Sequence, residues 1–366
     1  MKAYLLLVII LCNVLSGKAQ NNYIIFHPAE KAGITRIYID RAGNVYPPKD
    51  YIDSTKFGWV DRRNHDYADI KAYFLKYDPD AFRQVLSDNR VTTFDQLQNV
   101  LINNCAAELN NKLAQSHKLI MLIHGFNEYA ANAYDSLETT INNYLGDQQV
   151  TYLEVYWDGL KANSEMSKDV FKIWFRANRT APYPAIALRK LLAKIDDADV
   201  YIVTHSLGAC IGARLLFNTR EDRNFSLKEE WQKLATPAQS SITLVMLAPA
   251  IAGRRVFKYL NNTVPAGSTA HYKRIVIGYN KYDVATTKKM RFPLSRMFYS
   301  TSLGCDPGAI KYLARTLHRI DPSRKYYIID FSLTANAEKA RIHHIDKYIN
   351  DTAHFNQLLK NVFNAE

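Results

Sequence analysis

A serine set between a histidine and two small or apolar residues is the part of this chain that points most directly to chemistry. The pentapeptide Thr204-His205-Ser206-Leu207-Gly208 follows an apolar run and precedes a segment of helical character. A serine at a sharp strand-to-helix turn holds its hydroxyl at the top of a sheet, and the usual pattern is G-x-S-x-G. Threonine at the first position is a departure, because a β-branched residue crowds the turn more than glycine does. The pattern makes Ser206 a candidate nucleophile.

A serine nucleophile also needs hydrogen-bond donors for the oxyanion that forms when it attacks. The tetrapeptide His124-Gly125-Phe126-Asn127 directly follows a predicted strand. Glycine there allows the backbone to approach a substrate closely. We expect the backbone amides of Phe126 and Leu207 to be the two donors. The alternative is an ordinary strand-to-helix turn, and a metal-ligating role for the histidine has no partner ligand at a suitable spacing.

The candidate acid follows a strand predicted at 273–279. Asp283 ends the tetrapeptide Asn280-Lys281-Tyr282-Asp283, just beyond that strand. A carboxylate in this position can hold an imidazole in the correct tautomer and stabilise the imidazolium. An aspartate in a polar turn is the alternative interpretation.

Candidate bases come last along the chain. His343 and His344 follow a strand predicted at 326–331, and His354 lies ten residues beyond the second of them. We prefer His344 as the base and keep His343 as the alternative, with His354 third. Both members of the pair could instead be surface or helix-start residues. His205 is not expected to be the base, because neighbouring residues on an elbow point apart.

Alternating strand and helix patterns from residue 118 onward indicate a doubly wound, mostly parallel α/β sheet. The strands are predicted at 118–123, 150–157, 200–204, 242–247, 274–279 and 326–331, and the helices at 130–145 and, with an interruption near Pro182 and Pro184, at 171–195.

Residues 20–117 form an N-terminal extension without a clear assignment, and residues 118–366 form the main domain. The extension is predicted to contain a strand at 34–40, a turn at 41–44, the start of a return strand at Val45-Tyr46, and helices at 66–77 and 93–115.

The region from about 118 to 355 resembles the α/β-hydrolase superfamily. It is most similar to a group of uncharacterised bacterial α/β hydrolases that combine an H-G-[FY]-N strand end with an [AT]-H-S-[LM]-G elbow. Residues 155–159 resemble the aromatic-rich strand end of that group, and residues 280–283 resemble its N-x-x-D acid motif. The group shows one histidine a few residues before an aromatic, and His344 before Tyr348 fits this loosely. The resemblance implies an α/β-hydrolase fold and a Ser-His-Asp triad.

Composition sets wide limits on function. The chain has 366 residues, of which 48% are hydrophobic, and a net charge of +12. The positive charge can serve solubility or attraction to an anionic envelope surface. The more specific alternative is that it serves to bind an acidic substrate. Basic residues are scattered and no nucleic-acid-binding motif is present, so no nucleic-acid partner is expected.

The first 19 residues are typical of a secretory signal peptide. A charged Lys2 precedes an apolar stretch at 4–15, and small residues occupy the expected cleavage site. We therefore expect the protein to be exported, with Cys12 an incidental member of the apolar stretch. Three scattered cysteines remain beyond it, too few for a disulfide scaffold and without the C-x-x-C spacing of a zinc site, so no metal or cofactor is expected.

The sequence thus predicts a serine hydrolase acting on an ester or related acyl substrate, small or lipid-like. A non-catalytic binding module on the same fold and an acyltransferase using the same residues are the alternatives. Two further groups are candidates for the substrate site: aromatic residues that could line an acyl pocket or pack in the core, and basic residues that could attract an anionic head group. They are Phe171, Trp174, Phe175, Phe292 and Phe298, and Lys288, Lys289 and Arg291.

Overall fold

The structure of the protein is a computed structural model. It describes residues 31, 33–40, 43–46, 94–126, 130–157, 159, 174, 177–196, 198–216, 241–252, 272–287, 302–320, 322, 324–333 and 343–364. Several sequence-based expectations lie outside these residues: the signal segment 1–19, the helix at 66–77, Asn127, and all of the aromatic and basic residues considered for the substrate site except Trp174, which is buried.

The strands form one eight-stranded sheet in the described part of the chain, ordered β2-β1-β4-β3-β5-β6-β7-β8. They are β1 (Ile34–Ile39), β2 (Val45–Tyr46), β3 (Lys118–Ile123), β4 (Thr151–Trp157), β5 (Asp199–His205), β6 (Ser241–Leu247), β7 (Tyr272–Tyr279) and β8 (Lys325–Asp330). Every pair of neighbours is parallel except β1 with β2. The predicted fold class is confirmed, with strand ends within about two residues of those predicted.

The central strands are apolar on both sides, which is why they read as continuous hydrophobic runs rather than alternating ones. In β3, the five residues 119–123 are all buried. The N-terminal hairpin adds to this sheet, because β1 pairs in parallel with β4 from Ile34 to Ile39. Strands β1 and β2 therefore extend the same sheet that carries the candidate site.

Helices cover both faces of the sheet. They are α1 (Phe94–Ser116), α2 (Ala130–Leu145), α3 (Pro182–Leu192), α4 (Gly208–Leu216), α5 (Val284–Thr287), α6 (Pro307–Ile320), α7 (Ile345–Ile349) and α8 (Thr352–Phe363). Helices α1, α3 and α4 contact one another in series, and α2, α7 and α8 contact one another. Strand β5 separates the groups: the Thr204 methyl lies under Gly212 of α4, whereas the Tyr201 ring packs against Phe363 of α8.

Helix α3 explains the interruption expected near its two prolines. It begins at Pro182, and Pro184 lies in the same first turn. Proline is tolerated there because the first N–H groups of a helix have no partner within the helix. Helices α5, α6, α7 and α8 were not predicted. Within the described residues, no helix combines the length and apolar character needed to cross a membrane.

The three described cysteines form no disulfide with one another. Burial raises the pKa of the Cys105 thiol to about 12. A thiol of this kind is almost entirely protonated at neutral pH and is therefore a poor nucleophile.

A buried charged cluster lies between α2 and β4. The carboxylates of Asp135, Glu138 and Glu154 approach within 4.8 Å of one another. Lys31 contacts the first two, and the Arg36 Nε donates to Glu154 at 2.6 Å. Three acidic groups thus face two basic ones, and a proton shared by the two glutamates would balance the charge.

Two glutamate oxygens in this cluster support the presence of that proton. Glu138 Oε1 and Glu154 Oε1 are both buried without a hydrogen-bond partner among the described residues. Burial, reinforced by the neighbouring Glu154 carboxyl and opposed by Lys31, raises the pKa of Glu138 from 4.5 to about 8. The neutral acid is the form of Glu138 that the folded protein favours.

We expect Glu138→Gln to flatten the pH dependence of stability. Because the folded-state pKa is raised, the stabilisation from the protonated form is complete below about pH 4.5 and is lost as the pH rises through about 8. Glutamine stays neutral and has no such loss. Urea unfolding at about pH 5 and about pH 9 should therefore give a smaller difference in the free energy of unfolding for the variant than for wild type. The exposed Glu108→Gln is the control, and equal differences in all three proteins would contradict the assignment.

Candidate active site

The elbow places Ser206 in a backbone conformation that non-glycine residues seldom adopt. The φ angle of Ser206 is +52°, directly after the last residue of β5. Two hydrogen bonds to the end of β6 hold it there: the Ser206 N–H donates to the Leu247 carbonyl and the Ala250 N–H donates to the Ser206 carbonyl, both at 2.9 Å. Such strain persists where the surroundings fix the backbone, and it clusters at functional sites.

Threonine at the first elbow position is accommodated by Gly212, which lies just over one turn into α4. The Thr204 hydroxyl donates to the Val245 carbonyl at 2.9 Å, so its burial costs no hydrogen bond. Its methyl group faces Gly212, where an added Cβ would lie 2.8 Å from it. The crowding that glycine avoids in the usual pattern is therefore relieved on the helix side.

Gly208 brings the elbow against the end of β3. A Cβ at this position would lie 2.5 Å from the Ile123 carbonyl oxygen and 2.6 Å from that of His124. Real Cβ atoms do not come so close to backbone oxygens, so only glycine permits this approach. It places the start of α4, and with it the amide of Leu207, beside the loop that begins at His124.

His124 fixes the orientation of this loop. Its Nε2 accepts the Trp157 backbone N–H at 3.3 Å, so the neutral ring carries its proton on Nδ1 and donates it to the Gly125 carbonyl at 2.6 Å. The Trp157 indole N–H also donates to the His124 carbonyl at 2.8 Å. Because the Gly125–Phe126 peptide is trans, anchoring its carbonyl aims the Phe126 N–H in the opposite direction. Both ring nitrogens are engaged, which leaves no metal-ligating role for His124.

A second glycine supports the other side of the loop. A Cβ at Gly159 would lie 2.8 Å from the Gly125 oxygen and 3.1 Å from the Phe126 Cα. The loop is thus held between the backbones of Gly159 and the start of α4. Among the described residues, neither the Phe126 amide nor the Leu207 amide donates a hydrogen bond to the protein, so both of the expected oxyanion donors keep that capacity.

One imidazole joins the serine to the aspartate. His343 Nδ1 lies 2.7 Å from Asp283 Oδ2, and its Nε2 lies 2.6 Å from the Ser206 Oγ. An ionised carboxylate only accepts hydrogen bonds, so Nδ1 carries the proton and Nε2 accepts from the serine hydroxyl. The arrangement is that of a nucleophile, a base and an acid that orients the base.

The preference for His344 is corrected by this geometry, because the adjacent His343 occupies the position between the two groups. His344 is exposed, has an extended backbone and precedes the first residue of α7. Consecutive residues of extended backbone point in opposite directions, so only one of the pair can face the serine. His354 is elsewhere, with its Nδ1 2.9 Å from the Asp351 carboxylate.

Asp283 has both carboxylate oxygens fully engaged. Its Oδ1 accepts the backbone N–H groups of Ala285 at 2.9 Å and Thr286 at 3.1 Å, which caps the short helix α5. Its Oδ2 accepts from His343 and from the Tyr348 hydroxyl, each at 2.7 Å. Burial opposes ionisation, but the interactions with His343, Tyr348 and the backbone outweigh it and lower the pKa of Asp283 below its ordinary value.

His205 contacts the backbone of His343, an interaction that sequence reasoning missed. Its buried ring donates from Nε2 to the His343 backbone carbonyl at 2.9 Å, and the two rings lie 5.0 Å apart. His205 therefore does not act on the Ser206 hydroxyl, as expected. It ties the backbone of His343 to the elbow itself. No local sequence signal indicates this contact, since it joins residues far apart in the chain.

Comparisons with known proteins add little to this geometry. No protein-family model and no curated protein matches the chain. Esterase B of Lactobacillus rhamnosis, in a structure with a tributyrin phosphonate, is 11% identical, with a TM-score of 0.33 over 67% of this chain and 76% of that one. An uncharacterised protein from Bacillus cereus ATCC 10987 is also 11% identical, with a TM-score of 0.31 over 75% of each chain. At these TM-scores, the fold rests on strand topology and the function on the site itself.

We expect the Thr204–Gly212 contact to appear as an energetic coupling. Gly212→Ala should destabilise the protein by about 1–3 kcal/mol, because the new methyl would lie 2.8 Å from the Thr204 methyl and 2.9 Å from Leu244 Cδ1 in a packed core. Thr204→Ser removes that methyl and keeps the hydroxyl for Val245. The double variant should therefore recover part of the loss, a coupling of about 1 kcal/mol in urea unfolding, while the contact with Leu244 remains. Additive effects of the two substitutions would contradict this account of the elbow.

Proposed function

We propose that the protein is a serine hydrolase that cleaves an ester or a related acyl compound. The observation that carries the proposal is the placement of His343 within hydrogen-bond distance of both Ser206 and Asp283. Ser206 and Asp283 follow the carboxyl ends of β5 and β7, the edge at which open α/β sheets bind ligands, and His343 reaches that edge by its contacts with both of them. The same contacts support the broader assignment of the protein as a hydrolase of the α/β type.

The proposed reaction follows from the donors and acceptors at the site. Ser206 Oγ attacks the acyl carbon as its proton passes to His343 Nε2, and Asp283 stabilises the imidazolium. The amides of Phe126 and Leu207 donate to the oxyanion of the tetrahedral intermediate. The imidazolium then protonates the departing alkoxide, which leaves an acyl-enzyme. Water attacks that ester and gives a proton to His343, which passes it to Ser206 Oγ as the acyl–oxygen bond breaks, so that the acid is released and the serine is free again.

Two alternatives use the same surface. An acyltransferase would share every step up to the acyl-enzyme and then pass the acyl group to another hydroxyl or amine, so the products distinguish it. A non-catalytic binding module would not need a serine with a strained backbone, or an aspartate whose two oxygens both accept hydrogen bonds. The positive φ of Ser206 and the four hydrogen bonds to Asp283 favour catalysis over binding alone.

Export is part of the proposal. The signal-like segment 1–19 and the net charge of +12 fit a protein that works outside the cytoplasm near an anionic envelope surface, on a small or lipid-like acyl substrate. No metal or cofactor takes part in the proposed reaction.

Covalent labelling with a fluorophosphonate, followed by peptide mapping, tests the nucleophile and its base together. We expect an adduct on Ser206 that is lost in Ser206→Ala. We expect His343→Ala to slow labelling by at least about a thousandfold, because the serine loses its base. The neighbouring His344→Ala is the matched control and should label within about threefold of wild type.

Two results would refute this assignment. Labelling that survives His343→Ala but not His344→Ala would return the base to the residue first preferred from the sequence. An absence of labelling in folded wild-type protein would favour the binding module. A positive result would be followed by hydrolysis of p-nitrophenyl esters of increasing chain length and by product analysis with and without added alcohols.

His124 offers a separate test of the oxyanion loop. His124→Phe keeps a ring against Trp157 but loses the hydrogen bond that holds the Gly125 carbonyl. We expect kcat on a p-nitrophenyl ester to fall by roughly 10–100-fold with little change in KM, because the misaimed Phe126 amide matters mainly in the transition state. His354→Phe, outside the site, should leave kcat unchanged, and an increase in KM alone would contradict the assigned role.

A further inference from the structure

Tyr348 lies beneath the three triad residues and touches the acid directly. Its hydroxyl donates to Asp283 Oδ2 at 2.7 Å, and this is the same oxygen that accepts the His343 Nδ1–H, also at 2.7 Å. The side chain is almost completely buried. Two donors therefore share one carboxylate oxygen, and only one of them belongs to the proposed base.

The other oxygen of Asp283 cannot relieve this sharing. A carboxylate offers about four acceptor positions, and the two on Oδ1 are taken by the amides of Ala285 and Thr286. The negative charge of Asp283 is consequently divided among four donors. The hydrogen bond from Tyr348 to Oδ2 weakens the interaction between that oxygen and His343.

The surroundings hold the Tyr348 hydroxyl in this position. Its ring packs edge-on against Phe331 at 5.0 Å and approaches the His205 ring at 6.4 Å. Helix α7 begins two residues after His343, so a single short segment delivers both the imidazole and the phenol. The titratable groups that face this pair from neighbouring elements are Asp283, His205 and Cys305.

Tyr348 stays a neutral donor at every pH at which the protein would work. Burial, and then the negative charge of Asp283, raise the pKa of the phenol well above its ordinary value. Its hydrogen bond therefore does not switch with pH. The Tyr348 hydroxyl donates to the Asp283 carboxylate to the same extent across this pH range.

We propose that Tyr348 is a positioning residue that sets how strongly Asp283 holds the His343 ring, and thereby the pH at which Ser206 becomes reactive. This inference rests on the proposed function. Without the phenol hydrogen bond, Oδ2 interacts with His343 alone and stabilises the imidazolium more strongly. Ser206 then becomes reactive only at higher pH.

The test is the rate of fluorophosphonate labelling of Ser206 as a function of pH in Tyr348→Phe. The midpoint of the acid limb should rise by about 0.5–1 pH unit, so the rate below the midpoint falls by about 3–10-fold. The alkaline plateau should stay within about threefold of wild type. Tyr279→Phe is the matched control: it removes a tyrosine–aspartate hydrogen bond of the same 2.7 Å length, but to Asp330, which contacts no triad residue. Its midpoint should equal that of wild type.

A second variant keeps the hydroxyl and changes its strength. Site-specific 3-fluorotyrosine at Tyr348 is a stronger donor than tyrosine, so the midpoint should move to lower pH, opposite to Tyr348→Phe. This variant decides the matter if Tyr348→Phe does not fold, as judged by its near-ultraviolet circular dichroism.

Three outcomes separate the possibilities. Opposite midpoint shifts in the two variants support the inference. An unchanged midpoint, or an equal rate loss at every pH, overturns it and leaves Tyr348 a purely structural residue. Wild-type protein that fails to label at any pH instead refutes the proposed function on which the inference rests.

Discussion

The close approach of two backbones, at the end of β3 and at the start of α4, is the constraint on which the site depends. Gly208 allows that approach, and no side chain could lie between the two carbonyl oxygens it faces. With the elbow held at this distance, the Leu207 and Phe126 amides belong to one small region, and Ser206 stands beside them. The sheet supplies the rest of the order, because parallel strands place their carboxyl ends, and the turns that follow them, on one edge.

Much of this arrangement could be predicted from local patterns. The parallel strands are continuous apolar runs, and the turns that carry Ser206 and Asp283 follow directly after β5 and β7, so periodicity and position identify them. The short helix α5 was missed because it is made by the Asp283 cap rather than by propensity, and the amphipathic α6 was missed because it begins with Pro307 and Gly308.

The choice between two consecutive histidines illustrates what local patterns leave undetermined. His343 and His344 have the same chemistry and nearly the same position, and which of them faces Ser206 depends on a contact with His205 made across the fold. Tyr348 is a similar case, because an aromatic residue is readable from the sequence but the acceptor of its hydroxyl is not. Tertiary hydrogen bonds, rather than propensity, decide both.

The bond between His205 and the His343 carbonyl also has a consequence for the order of folding. Ser206 and His343 are 137 residues apart, and closing so long a loop is slow compared with forming local helices. The half of the site that includes Ser206 can therefore assemble before the segment after β8 docks onto it. Until that final docking, Ser206 lacks its hydrogen bond to His343, so under the proposed function a partly folded chain would be unreactive and activity would arise only as the last contacts form.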